Sequence, residues 1–197
     1  SLKYCHNMLN QRIQGLYAIT PDKGFDITLI ENTIKKHKVN ILQYRRKNLD
    51  IKNKLDEANK LFELCKQHNT LFIINDDINL CQKIGADGIH IGQNDTHARL
   101  ARKALGKKFI IGVTCHDSLE LAIDAENNGA DYIALGAIFK SINKPKATHC
   151  PLSKIKNIKK NINIPVVGIG GISLENKGLA YDAGCDAVAM IDGLFGH

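Results

Sequence analysis

This sequence predicts an α/β fold in which eight parallel strands alternate with helices and close on themselves, a (β/α)8 TIM barrel spanning residues 1–197 as a single domain. Three observations carry the prediction. Eight short β-branched runs are bounded by Gly, Pro, Asn or Asp, helix-period segments lie between them, and the runs are almost continuously apolar, as strands buried on both faces are. A chain of 197 residues is close to the roughly 200 that the smallest such barrels need. No G-x-G-x-x-G turn, the mark of an open dinucleotide-binding sheet, accompanies the strands, and this favours closure.

The first run is Leu16-Tyr17-Ala18-Ile19-Thr20, stopped by Pro21. The second, 41–45, starts after Asn40 and leads into Gln43-Tyr44-Arg45-Arg46-Lys47. A helix pattern follows at 54–68, with Leu55, Ala58, Leu61, Phe62 and Cys65 on one face. The third run, 71–76, is four apolar residues ending in Asn75-Asp76, and the fourth, 88–92, leads into Gln93-Asn94-Asp95. After the fifth, 109–114, a second clear helix covers 118–128, with Leu119, Ala122 and Ile123 together. The sixth, 132–136, opens the most polar connection of the chain, 139–146, which carries Lys144. Lysines 154, 156, 159 and 160 interleave with Ile155, Ile158 and Ile162, a helix with an apolar stripe and a solvated basic face. The seventh run, 165–170, ends in Gly170-Gly171, and the eighth, 187–191, in Asp192-Gly193, with the last helix expected to be very short before His197. A repeated Gly-Ala-Asp phrase, at 85–87 and 129–131 and varied at 184–186, precedes a strand each time; it predicts a helix C-cap glycine and a tight turn at the stability face, without chemistry.

Composition narrows the function classes. Hydrophobic content of 44% is ordinary, and no apolar run approaches the roughly 20 residues of a membrane span. No basic segment followed by an apolar one opens the chain, so a soluble, cytoplasmic protein is expected, without a membrane partner; a first residue that is Ser rather than Met suggests a trimmed start. Six widely spaced cysteines without a C-x-x-C pair predict reduced thiols, and neither Cys115-His116 nor His149-Cys150 matches a zinc spacing. The net charge of +7 comes without a basic tail, an RNP-like aromatic strand or a zinc finger, so a phosphorylated small substrate explains it better than nucleic acid does.

In a closed barrel the C-terminal strand ends share one face, so residues far apart in sequence meet there. Gln43, Arg45 and Lys47 alternate, which puts all three on the inner face of an extended strand and Leu42 and Tyr44 on the other. Arg45 suits phosphate oxygens as a fork and Lys47 as a compact charge. Asp76 or Asp95 alone would read as a helix N-cap; as a pair beside the basic strand they suit Mg²⁺, which takes one or two carboxylates plus waters and phosphate oxygens. His90, inside its strand, reads as a hydrogen-bonded core histidine rather than a general base. The 139–146 loop is placed to close over a substrate, and the glycines after strands seven and eight to offer backbone N–H groups to a phosphate.

Together these motifs resemble the thiamine phosphate synthase family. The likeness runs through Leu16 to Thr20, Gln43-x-Arg45-x-Lys47, Ile74-Asn75-Asp76, His90-Ile91-Gly92-Gln93-x-Asp95, Gly112-Val113-Thr114, Gly136 to Lys144, Gly168 to Ile172 and Ala183-Gly184 to Ile191. The resemblance implies a barrel transferase that joins a pyrimidine methyl diphosphate to thiazole phosphate, releasing pyrophosphate before the thiazole nitrogen captures a pyrimidine-stabilised carbocation. It also implies that Gln43, Arg45, Lys47, Asn75, Thr114 and Lys144 hold the diphosphate substrate, with Arg45, Lys47 and Lys144 catalytic. Asp76 and Asp95 would hold Mg²⁺, and Ser141, Ile142, Asn143, Gly171, Ile191 and Asp192 the thiazole phosphate. The chain departs from the family at Asn143, usually Thr, and at Asp192, commonly Ser. The competing readings are a thiazole tautomerase of the same fold and a non-catalytic phosphate- or nucleic-acid-binding barrel; a homo-oligomer is open.

Overall fold

A computed structural model describes residues 11–140 and 144–195, in which eight parallel strands pair in chain order and close into a barrel. They are β1 (Gly15–Ile19), β2 (Ile41–Tyr44), β3 (Leu71–Asn75), β4 (Gly88–Ile91), β5 (Ile110–His116), β6 (Tyr132–Leu135), β7 (Val166–Ile169) and β8 (Ala187–Met190). Each falls on an expected run. The differences lie at the ends: the last residue of every run but the fifth leaves the ladder, and β5 continues to His116 through a bulge after Thr114. Closure is the β1–β8 pairing, with Gly15 opposite Ala187 and Ala18 opposite Met190.

The helices between and after the strands are α1 (Ile27–His37), α2 (Ile51–Gln67), α3 (Ile78–Ile84), α4 (Ala98–Leu105), α5 (Leu119–Asn127), α6 (Leu152–Asn161), α7 (Lys177–Ala183) and α8 (Asp192–Phe195). Several of their starts are set by side chains: Asp26, Asp50, Asp77 and Ser118 each accept a backbone N–H of the first turn. The Asp50 cap explains why α2 begins at Ile51 and not at Lys54, where its apolar pattern becomes regular. Its buried face, Ala58, Leu61, Phe62, Leu64 and Cys65, covers the barrel wall, each large apolar side chain contributing roughly 1.5–3 kcal/mol. Among the described residues no helix is long and apolar enough to cross a membrane.

The Gly-Ala-Asp turns do more than end helices. Gly85, Gly129 and Gly184 have positive φ (72°, 94° and 115°), as left-handed helix ends require. Each following aspartate then clamps the strand before it. Asp87, Asp131 and Asp186 accept the N–H of Phe72, Ile111 and Val166, each at 2.8 Å. Their own N–H groups donate back to the carbonyls of the same three residues at 3.0, 2.7 and 2.8 Å. Arg102 balances the buried Asp131 carboxylate at 2.5 Å, and Lys159 balances Asp186 at 2.5 Å.

The barrel interior is filled by alternate strand positions, including Tyr17, Ile19, Ile41, Leu71, Ile73, Ile110, Tyr132 and Val167. Tyr132 fits there because its neighbour Gly112 has no side chain. A Cβ on Gly112 would lie 2.0 Å from Cζ of Tyr132, whose ring is fully buried. Gly112→Ala is therefore expected to destabilise the fold by about 3 kcal/mol, lowering Tm by roughly 5–10 °C. Gly178→Ala, in α7 with no atom near its Cβ position, should hold or raise Tm. Thermal unfolding of the two variants checks both signs.

Candidate active site

The C-terminal strand ends form one rim, and its residues are held by a few definable contacts. Thr20, just past β1, is buried; its Oγ1 accepts the Arg45 N–H at 2.9 Å and donates to the Arg45 carbonyl at 3.1 Å. Asp22 pairs with the Arg45 guanidinium through Oδ2. Through Oδ1 it accepts the Lys47 N–H at 3.2 Å, and its carbonyl accepts Arg46 Nη1 at 3.0 Å. Asp22 thus organises the whole Arg45-Arg46-Lys47 segment. Asp22 is not among the residues that the strand-end pattern singles out, although Thr20-Pro21-Asp22 directly follows a strand that neighbours β2.

Gln43 is buried inside the barrel, as its strand position predicts, and Arg45 lies just past the end of β2. The ladder stops at Tyr44, so Lys47 reaches the rim from a turn and not from the strand. Tyr44 points outward between Phe25 and Phe72, with ring centroids 6.4 and 6.3 Å away. Arg46 is engaged by Glu57 at 3.1 Å. A cavity of about 190 Å³ opens here, lined by Lys47, Lys54, Asn75, Asp76 and Asp77 among others. Lys54, from the first turns of α2, is a further cation at this cavity, outside the set of residues that the sequence places at the rim.

Neither metal candidate is a helix cap. Asp77 caps α3 and His97 caps α4, which leaves Asp76 and Asp95 to the rim. Asp76 sits at φ 51°, its N–H donating to the His90 carbonyl at 2.8 Å and its Oδ2 accepting Asn75 Nδ2 at 3.2 Å. Asp95 Oδ2 accepts the Gly92 N–H at 2.6 Å. Burial, and then the charge of Asp95, raise the Asp76 carboxyl above the ordinary range, while Lys47 and Lys54 oppose the rise. Among the described contacts each carboxylate keeps Oδ1 outside any hydrogen bond, and no third His, Cys, Asp or Glu completes a cage. A small oxygen-seeking dication that brings its own waters and phosphate oxygens fits this pair and relieves its repulsion.

Below the rim, a hydrogen-bonded chain crosses the barrel. Gln43 Nε2 donates to Tyr17 Oη at 2.8 Å, and Tyr17 Oη meets Tyr132 Oη at 2.7 Å. Tyr132 Oη meets His90 Nδ1 at 2.9 Å, and His90 Nε2 meets Thr114 Oγ1 at 2.8 Å. Burial pushes the His90 pKa down to about 4 and that of Tyr17 up to about 12, so both are neutral near pH 7. His90 is the core histidine that its position in the strand predicted.

The connection after β6 is fastened at its stem. Ile138 and Phe139 donate to the carbonyls of Ile169 and Gly170, both at 3.0 Å, and Cys150 donates to Ala137 at 2.8 Å. Lys144 is exposed, and no described contact joins it to Arg45 or Lys47. Ser141, Ile142 and Asn143 lie outside the described residues. Gly171 has φ 63°, and a Cβ there would stand 2.8 Å from the Phe139 carbonyl oxygen, so this glycine lets the two loops touch. Ile191 accepts the N–H groups of Leu194 and Phe195 at 3.3 and 3.2 Å, and the exposed Asp192 begins the short α8.

A family model described as thiamine monophosphate synthase matches residues 16–194. The thiamine-phosphate synthase of Thioalkalivibrio sulfidiphilus is 41% identical over 188 residues, covering 94% of this chain and 89% of its own. That of Chromobacterium violaceum is 43% identical over 186 residues, covering 93% and 89%. A solved structure, the thiamine phosphate pyrophosphorylase of Pyrococcus furiosus, superposes with a TM-score of 0.87 at 27% identity over 96% of this chain and 90% of that one.

Asp22→Ala removes the anchor of Arg45 and of the Lys47 backbone, so inorganic pyrophosphate with Mg²⁺ should bind about tenfold more weakly, since misplaced binding groups lose alignment. Because the ion pair is partly solvent-exposed, Tm should shift little. Isothermal titration and thermal unfolding of the same variant separate the two effects.

Proposed function

The chain belongs to the thiamine monophosphate synthase family, and from that premise we propose how its rim performs the coupling. It is a transferase that joins 4-amino-2-methyl-5-pyrimidinylmethyl diphosphate to thiazole phosphate, giving thiamine phosphate and pyrophosphate. One observation carries the mechanistic reading: Lys47 and Lys54 share a cavity with the Asp76 carboxylate, which also feels the charge of Asp95, while the interior histidine is a neutral, hydrogen-bonded core residue. Such a rim suits stabilisation of a departing anion, with no need of a nucleophile or a strong base.

On this reading the bond between the pyrimidine methylene carbon and the diphosphate oxygen breaks first, its electron pair leaving with pyrophosphate. The pyrimidine ring stabilises the carbocation, and the thiazole nitrogen lone pair then forms the new C–N bond. Arg45, Lys47 and Asn75 hold the diphosphate, Gln43 and Thr114 the pyrimidine, and Lys144 arrives with the loop after β6. Asp76 and Asp95 would hold Mg²⁺, which when bound neutralises charge on the diphosphate oxygens.

The thiazole phosphate is assigned to Ser141, Ile142, Asn143, Gly171, Ile191 and Asp192. A carboxylate about 4 Å from a phosphate costs roughly 4 kcal/mol per unit charge pair at an effective dielectric of 20, so the Asp192 backbone and not its side chain faces the ligand. A reducing, cytoplasmic setting is supported by the free thiols of Cys65, Cys81, Cys115, Cys150 and Cys185.

Incubation with both heterocycles and Mg²⁺ should yield thiamine phosphate and pyrophosphate by mass spectrometry. Chelation by EDTA should abolish the yield, and Asp76→Ala should cut it severely while circular dichroism stays native; full coupling in EDTA would remove the metal from the mechanism. Lys144→Ala should lower kcat on the order of 10²-fold, as loss of one preorganised donor does. A rise in KM alone would restrict Lys144 to ground-state binding.

A further inference from the structure

The chain of hydrogen bonds beneath the rim has a polarity, and that polarity reaches both of its ends. A phenol has one hydrogen to give and a neutral imidazole has one donor and one acceptor. Gln43 Nε2 donates to Tyr17, and among the described residues the only other hydrogen-bond partner of the Tyr17 hydroxyl is Tyr132. The Tyr17 hydrogen must therefore go to Tyr132, since any other arrangement leaves a buried hydroxyl hydrogen without an acceptor. Tyr132 then gives its hydrogen to His90 Nδ1, which places the imidazole hydrogen on Nε2, and Nε2–H gives it to Thr114 Oγ1. The Thr114 hydrogen is left to point out of the chain. The reversed polarity needs the Gln43 amide turned over, and it would point the Thr114 hydrogen inward.

Burial makes this order rigid. Tyr17 and Tyr132 are 1% and 0% exposed, His90 9% and Gln43 4%. His90 and Tyr132 also stack, with ring centroids 5.6 Å apart and planes 26° from parallel. Among the described residues Oε1 of Gln43 has no hydrogen-bond donor, although Gln43 is almost wholly buried. A buried acceptor of this kind awaits a partner.

Resting on the functional reading above, we propose that Tyr17, Tyr132 and His90 are positioning residues forming a one-way relay. The relay presents Gln43 Oε1 as an acceptor and the Thr114 hydroxyl as a donor, and so selects a pyrimidine bearing an exocyclic amino group over its oxo counterpart. The amino group donates to Oε1, whereas an oxo group would meet that oxygen with one of its own. A site whose polar groups match one ligand and leave the other unpaired discriminates strongly.

The first test needs no substrate. Long-range ¹⁵N–¹H correlation spectra of histidine-labelled protein, with the His90 signals assigned by their loss in His90→Gln, should show the Nε2–H tautomer at pH 7. The Nδ1–H tautomer would overturn the proposal. The second test is kinetic: wild-type protein should prefer the amino over the oxo pyrimidine diphosphate on the order of 10²-fold or more in kcat/KM. Tyr132→Phe should raise KM for the amino substrate about tenfold and reduce that preference about tenfold, with KM for thiazole phosphate unchanged. Tyr17→Phe should do the same, and the double variant should be no worse than the poorer single one, because either change interrupts one chain. Natively folded Phe variants with unaltered KM and preference would overturn the relay, as would a wild-type protein that couples without preferring the amino substrate. Absence of any coupling by the wild-type protein would instead overturn the functional reading, and the tautomer would still decide the polarity of the chain.

Discussion

Closure of the barrel through the β1–β8 pairing is the constraint from which the rest of this molecule follows. Once the first strand pairs with the last, no sheet edge remains, all eight C-terminal ends meet at one rim, and alternate side chains must fill a narrow interior. An interior of fixed width admits the Tyr132 ring because Gly112 stands beside it without a side chain. Tyr17 and Tyr132 bring their hydroxyl groups into the core, where each must find a partner. Packing and polar satisfaction are thus one problem here, and the run of hydrogen-bonded contacts from Gln43 to Thr114 meets both.

The two ends of the barrel divide the work. At the N-terminal end the aspartates of the Gly-Ala-Asp turns tie each helix exit to the strand before it, with Arg102 and Lys159 balancing two of the charges. Charge is satisfied locally there. At the C-terminal end Asp76 stands near Asp95, and its carboxyl is held above the ordinary range by burial and by that neighbour. Lys47 and Lys54 offset only part of that rise, so like charge is less fully balanced at this rim than at the opposite end of the barrel.

Short apolar runs and polar strand ends were readable because parallel strands buried on both faces leave little choice of residue. Gln43, Asn75, Asp76 and Asp95 could each be named from their position after such a run. Asp22 could not, because its role depends on Arg45 lying one strand away, and nothing in the order of residues states that distance. Lys54 escaped for a related reason: helical periodicity assigns a lysine to the solvated face, while the cavity beside Asp76 is made by the approach of α2 to the end of β3. The competing N-cap role of Asp76 was settled one residue further on, where Asp77 accepts the Leu80 N–H.

By itself the sequence determined the alternation of strand and helix, the inward face of β2, the core character of His90 and the residues available to the rim, since each of these follows from periodicity and local chemistry. Tertiary structure alone decided which groups meet: Asp22 with Arg45, Asp76 with Asp95 and Lys54, and Gln43 with Thr114 through two phenols and an imidazole. The physical reason is that barrel register and interior packing set distances between residues far apart in the chain, such as Tyr17 and Tyr132, 115 positions apart, and those distances are properties of the closed sheet, not of any segment of it.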